Sequence, residues 1–127
     1  MENWRNILVK KHQTLLETMQ IIDKSALQFA VVIDDENRLL GTVTDGDIRR
    51  GILKGEVLDS PINKIMNTSP FTATTAHTKH YCVKLMNDKQ LKQLPIVDNN
   101  QQVVNVLFKD EVQQQSNENT VVLMVGD

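Results

Sequence analysis

Ala30-Val31-Val32-Ile33, then Asp34-Asp35-Glu36-Asn37, then Leu39-Leu40-Gly41-Thr42-Val43-Thr44 follow one another in the first half of the chain. The first run is apolar and mostly β-branched, the second carries turn residues, and the third reads as a returning strand, so the three predict a hairpin. Asp45-Gly46-Asp47 comes next, then Ile48-Arg49-Arg50-Gly51-Ile52-Leu53-Lys54 and Gly55. This spacing predicts a short helix over residues 47–54, with Ile48, Ile52 and Leu53 inward and Gly55 as its stop. Gly51 weakens that helix by about 1 kcal/mol relative to Ala.

Upstream of the hairpin, Ile7-Leu8-Val9 is a short apolar run that predicts a strand, and Thr14-Leu15-Leu16-Glu17 has the Thr-x-x-Glu spacing of a capping box. A helix is expected to start there and to turn Leu15, Leu16, Met19, Ile22 and Leu27 toward the core. The unit is therefore strand, helix, strand, strand, helix.

Sliding the chain against itself by 64 positions brings a second copy into register. Thr14 falls on Thr78, Met19 on Val83, Leu27 on Leu91, Val32 on Ile96, Asp34 on Asp98, Val43 on Leu107 and Ile48 on Val112. Apolar character is kept in phase without a gap, which argues for duplication over chance. The second copy predicts strands at 71–73, 94–97 and 103–108, a helix at 78–88, and a last helix opening near Asp110 or Glu111. Between the copies, Ser60-Pro61 is a cap before a first-turn proline, with Ile62, Ile65 and Met66 on one side of a short docking helix. The expected organisation is repeat 1 over 1–57, repeat 2 over 58–113, and 114–127 as a polar linker and one further strand at 120–125.

Composition fits this reading. The 127 residues are 40% hydrophobic and 24% charged, with 14 basic against 16 acidic side chains and a net charge of −2. Neither disorder nor a fibrous repeat has this profile. No basic stripe is concentrated enough for a dedicated nucleic-acid binder. No apolar run has the length of a signal peptide or a membrane span, and the single cysteine, Cys82, permits no internal disulfide. A cytoplasmic setting is expected.

The chemistry concentrates at Gly41-Thr42-Val43-Thr44-Asp45-Gly46-Asp47. Thr44 offers a hydroxyl at a strand end, and Asp47 stands three residues on, at a helix mouth whose free amides attract anions. A phosphate suits the hydroxyl and amides, and a ribose diol suits the carboxylate. The competing reading is that Asp47 caps a helix and Thr44 is a strand residue, both for folding alone. Catalysis finds little support: His12, His77 and His80 form no metal-ligand or nucleophile arrangement with the carboxylates, and Cys82 reads as a small core residue.

The duplicated unit, with Gly-x-x-Thr-x-x-Asp after its third strand, resembles the cystathionine β-synthase (CBS) domain, whose tandem pairs are called Bateman modules. The resemblance covers about residues 4–113. It implies an α/β fold of two repeats packed as a pseudo-twofold pair, and an adenine nucleotide (AMP, ADP or ATP) as ligand, with no catalysis and no metal. Carried over by position, the resemblance implies that Thr44 and Asp47 contact phosphate and ribose and that Ile7, Ala30 and Val31 line the base pocket. In the second copy Phe108 replaces the threonine and Glu111 the aspartate, so at most one good site per chain is expected. CBS pairs generally associate through their helices, which implies a homodimer. The run 119–126 is similar to the opening strand of sugar-phosphate nucleotidyltransferases, implying a regulatory module attached to such an enzyme. A ligand-free dimerisation scaffold, or the CBS pair of a sugar-phosphate isomerase, is the alternative.

Overall fold

The structure, a computed structural model, describes residues 4–25 and 27–110. The chain divides into two compact units between Pro70 and Phe71. Each is a mixed α/β unit built on a three-stranded sheet.

In the first unit a 3-10 turn, Trp4–Ile7, leads into β1, Leu8–Lys10, followed by α1, Leu15–Ser25. Strands β2, Phe29–Ile33, and β3, Leu39–Thr44, form the expected hairpin, and α2, Asp45–Leu53, follows without a gap. The sheet order is β1-β2-β3. β1 runs parallel to β2, with Val9 opposite Val32, because α1 carries the chain back across the sheet. β2 is buried along its whole length, and Ala30 and Val32 join Val9, Leu15, Ile22, Val43 and Ile48 in one core.

The start of α1 follows its sequence. The Thr14 Oγ1 accepts from the Glu17 amide at 3.1 Å, and Glu17 Oε1 accepts from the Thr14 amide at 2.9 Å. Leu15, Thr18 and Ile22 form the buried stripe, and the Thr18 hydroxyl enters the core by donating to the Thr14 carbonyl at 3.0 Å. Leu16, expected inward, is 40% exposed, since the stripe through Leu15 and Thr18 turns its neighbour outward.

α2 departs further from expectation. It starts at Asp45 because Thr44 is its N-cap, so Asp47 is the third helical residue. The buried face then passes through Ile48 and Gly51, leaving Ile52 47% and Leu53 78% exposed. Gly51, read as a weakness, is a contact: a Cβ there would meet Ile65 Cγ1 at 3.1 Å.

The segment after α2 packs into this same unit. Pro61 occupies the cap of a 3-10 turn, Ile62–Lys64, with no side-chain cap bond; the Ser60 hydroxyl, expected as that cap, instead accepts from the Val57 amide at 2.9 Å. Ile62 is fully buried, and Ile65 and Met66 pack against the same core, as their spacing predicts. Asn67 then pairs with Thr42.

The second unit has β4, Ala73–Thr74, α3, Lys79–Lys89, β5, Gln93–Val97, and β6, Val103–Phe108, in the sheet order β4-β5-β6. Displacement by 64 residues maps one unit onto the other to the residue. Ala30↔Val43 becomes Leu94↔Leu107, Val9↔Val32 becomes Ala73↔Ile96, and the irregularity at Val32/Ile33 recurs at Ile96/Val97. The two hairpin loops match too: Asp34 Oδ1 accepts from the amides of Glu36 and Arg38, and Asp98 Oδ1 from those of Asn100 and Gln102. Asn37 and Gln101 each take a left-handed φ, 64° and 66°. Phe71, expected to open the first strand, is 49% exposed and precedes β4. Lys109 and Asp110 are helical where the description ends. Glu111, the linker and the strand expected at 120–125 lie outside the described residues.

Candidate ligand site

Thr44 and Asp47, singled out from sequence, meet in one hydrogen-bonded arrangement. The Thr44 backbone amide donates to Asp47 Oδ2 at 3.0 Å, and its hydroxyl donates to the same oxygen at 3.1 Å. In return, Thr44 Oγ1 accepts from the Asp47 amide at 3.3 Å. This is a reciprocal capping box, so the folding role of both residues is realised. A carboxylate in the first turn also faces the positive end of the helix dipole.

Arg50 completes the cluster by donating to Asp47 Oδ1 at 2.7 Å, from one turn further along α2. The Asp47 side chain is 14% exposed and that of Arg50 64%. Gly46 leaves the room for this: a Cβ there would lie 3.2 Å from Arg50 Nη1. The guanidinium is folded back over the first turn of the helix.

Asp47 also lines a cleft of about 440 Å³, together with Arg50, Gly51 and Lys54 on the α2 side and Lys64, Ile65, Met66 and Asn67 opposite, with Glu56 beside them. Its wall therefore holds three cations and two carboxylates. Ile65 and Met66 supply apolar surface. Gly41 is what lets this wall form, because a Cβ there would meet the Asn67 carbonyl oxygen at 2.6 Å and Met66 Sδ at 2.8 Å. The glycine of Gly-x-x-Thr-x-x-Asp is thus explained by the crossing of the 66–67 segment over β3.

Ile7, Ala30 and Val31, expected around a base, have no accessible surface. Ala30 belongs to the core with Val43, and Val31 is bridged between Leu8 and Thr42. They are not brought to the cleft. Lys64, Ile65 and Met66 were missed from sequence, since the signal placing them beside Asp47 is a long-range one, the pairing of Asn67 with Thr42, whereas Lys54 follows locally as the C-cap of the helix that carries Asp47.

In the second unit, Phe108 stands at the Thr44 position, half-buried and paired with Gln93. No hydroxyl is available there. His77 is structural: its Nδ1 accepts from the Thr74 amide at 3.0 Å and its ring stacks on Tyr81, with centroids 4.1 Å apart. Cys82 is buried among Met86 and Leu94, and burial pushes its thiol up from the usual range. Among the described residues no group of three or more His, Cys, Asp or Glu side chains is placed to hold a metal. No helix of the described residues is long and apolar enough to cross a membrane.

A strand-helix-strand-strand unit repeated at 64 residues, followed in its first copy by a capped Thr-x-x-Asp turn and a helix, defines a tandem α/β module. The chain belongs to the CBS domain family, whose model matches it twice, over residues 4–54 and 62–112. Arabinose 5-phosphate isomerase GutQ of Escherichia coli O6:H1 is 25% identical over 87 residues, which are 68% of this chain and 27% of GutQ. The chain spans under a third of the length of the curated relatives it matches, 29% and 27% in two cases. The structure of CBSX2 in complex with AMP superposes with a TM-score of 0.76 at 19% identity, covering 89% of this chain and 88% of that one. The CBS domain pair of protein MJ0100, in complex with 5′-methylthioadenosine and S-adenosyl-L-methionine, gives 0.72 at 19% identity, over 85% and 88%. These likenesses fix the fold as that of a CBS pair.

Proposed function

We propose that this chain is a regulatory module that binds an adenine nucleotide at the Thr44–Asp47 turn and reports its presence to an attached enzyme. The observation that carries the reading is Asp47, a half-buried carboxylate fixed by its own capping box in the wall of a cleft that also presents three cations. A carboxylate accepts both hydroxyls of a ribose, and Arg50 and the helix-end amides suit a phosphate. The occurrence of AMP in CBSX2, and of adenosine-derived ligands in MJ0100, supports an adenosine moiety. Glu111 is kept as the corresponding ribose contact of a weaker second site.

Binding involves an exchange. The Thr44 hydroxyl serves Asp47 in the capping box, and turning it to a phosphate gives up a bond worth about 1 kcal/mol. The ligand's contacts must exceed this, and regulation follows if they differ between two arrangements of the module. Repeat 1 over 1–57 and repeat 2 over 58–113 remain the proposed functional division. A homodimer through helices is supported by the exposed Leu16 on α1 and Ile52 and Leu53 on α2.

The attached enzyme is proposed to act on sugar phosphates. The match to GutQ favours an isomerase, whereas the nucleotidyltransferase expectation rests on residues 119–126 alone.

Calorimetric titration with AMP, ATP and S-adenosylmethionine, repeated on Asp47→Ala, tests the reading. Saturable binding at one site per chain, lost in the variant, is expected. No heat with any of them would leave a ligand-free scaffold as the function.

A further inference from the structure

We infer that the cleft beside Asp47 selects a nucleoside di- or triphosphate over the monophosphate and over a cationic adenosine derivative, through Lys54 and Lys64. The inference rests on the adenine-nucleotide reading and specifies the ligand class for the same site.

Of the three cations in the wall, Arg50 is already neutralised by Asp47 at 2.7 Å. Lys54 and Lys64 are exposed and form no ion pair among the described residues. They line the same cleft, Lys54 at the C-cap of α2 and Lys64 in the 3-10 turn after it. The chain as a whole is acidic, with a net charge of −2, whereas this wall sets three cations against the two carboxylates of Asp47 and Glu56, one positive charge in excess and so a local field of the opposite sign.

Position along the helix sets what can use that field. A phosphate at the Thr44 turn reaches the guanidinium of Arg50, which Gly46 allows to fold back over the first turn. Lys54 is rooted four residues further, about 6 Å along the helix axis. With the ribose at Asp47 and the first phosphate at Arg50, only further phosphates bring charge between Lys54 and Lys64. A sulfonium ligand, its sulfur bonded directly to the ribose C5′, would place a cation beside Arg50 in place of the first phosphate and bring no anion between the lysines.

The test uses the chain of residues 1–127, titrated with AMP, ADP, ATP, S-adenosylmethionine and inorganic tripolyphosphate, at two salt concentrations. ATP is expected to bind about tenfold more tightly than AMP, the difference of about one charge-assisted contact. In Lys54→Ala/Lys64→Ala that preference is expected to collapse to within about twofold, since the two ammonium groups meet only the further phosphates. Equal affinity for AMP and ATP, S-adenosylmethionine binding as tightly as ATP, or an unchanged preference in the double variant would overturn the inference and leave the nucleotide reading standing. Heat from no adenosine ligand removes that reading, and tripolyphosphate binding as tightly as ATP, insensitive to Asp47→Ala, removes it too.

Discussion

Thr42 and Asn67 exchange both backbone hydrogen bonds, N···O 3.1 Å in one direction and 2.8 Å in the other. Residues 25 positions apart thereby extend the first sheet at the free edge of β3, and the cleft wall follows from that pairing.

Gly41→Ala tests how tightly the crossing is built. The added methyl would sit 2.6 Å from a backbone oxygen and 2.8 Å from Met66 Sδ. Sulfur can move but the backbone cannot without breaking the pairing. The expected loss is about 1–3 kcal/mol, the range for an overpacked interior, read as a lower urea midpoint. Nucleotide affinity is expected to fall as well, because Met66 and Asn67 line the cleft. An unchanged midpoint would mean that the 66–67 segment is not held against β3.

The hairpin turn predicts a pH dependence. The Asp34 carboxylate is held down to about 2 from its ordinary 3.8, first by the Arg38 backbone N–H, against an opposing effect of burial, with the Arg38 guanidinium and the Glu36 N–H adding to the lowering. A carboxyl whose acidity is stronger in the folded chain stabilises it above the unfolded value and loses that contribution as the pH falls. The benefit is therefore complete above 3.8 and gone below about 2. Asp34→Asn keeps an acceptor for the amides and removes the charge. Its deficit in urea unfolding is expected to be largest near neutrality and to close in strong acid. A deficit independent of pH would assign the effect to turn geometry alone.

How much of this was legible depends on the range of the interaction. The strands, the α1 capping box and the 64-residue register were readable because each rests on near neighbours: Thr14 with Glu17, Asp34 with the next four residues, alternation within β2. The helix over 47–54 was displaced by two residues because Thr-x-x-Asp caps as Thr-x-x-Glu does, and the shorter side chain was given a ligand role first. Ile52 and Leu53, expected in the core, are on the surface because the face through Ile48 and Gly51 is the one that packs, with Gly51 against Ile65. The Thr44–Asp47 pair was found from sequence, whereas Lys64, Ile65 and Met66 reach the cleft only through the pairing of Thr42 with Asn67, which no local pattern encodes. Ile7, Ala30 and Val31 were apolar for packing.

Ile62 offers a test of where the first unit ends. It is fully buried in the core with Val9, Leu15 and Ile65, although it lies beyond the first repeat in sequence. Ile62→Ala removes buried methylene groups and is expected to cost about 2–5 kcal/mol. Leu53→Ser, at a side chain 78% exposed, is expected to stay within about 0.5 kcal/mol under conditions where the chain is monomeric. Similar losses in both would contradict the placement of the 62–65 segment in the core.

Thr44 separates folding from binding most directly. Thr44→Val keeps the β-branched shape and removes the hydroxyl that both accepts from the Asp47 amide and donates to its carboxylate. Loss of the cap is expected to cost about 0.5–2 kcal/mol, and Asp47 is released toward Arg50. Thr44→Ser retains the hydroxyl and is expected to recover most of the stability. If the hydroxyl also meets a phosphate, Thr44→Ser retains nucleotide affinity while Thr44→Val loses it, even at a temperature where both are fully folded. Equal affinity of the folded Thr44→Val chain would confine Thr44 to the capping box and leave Asp47, Arg50 and the two lysines to hold the ligand.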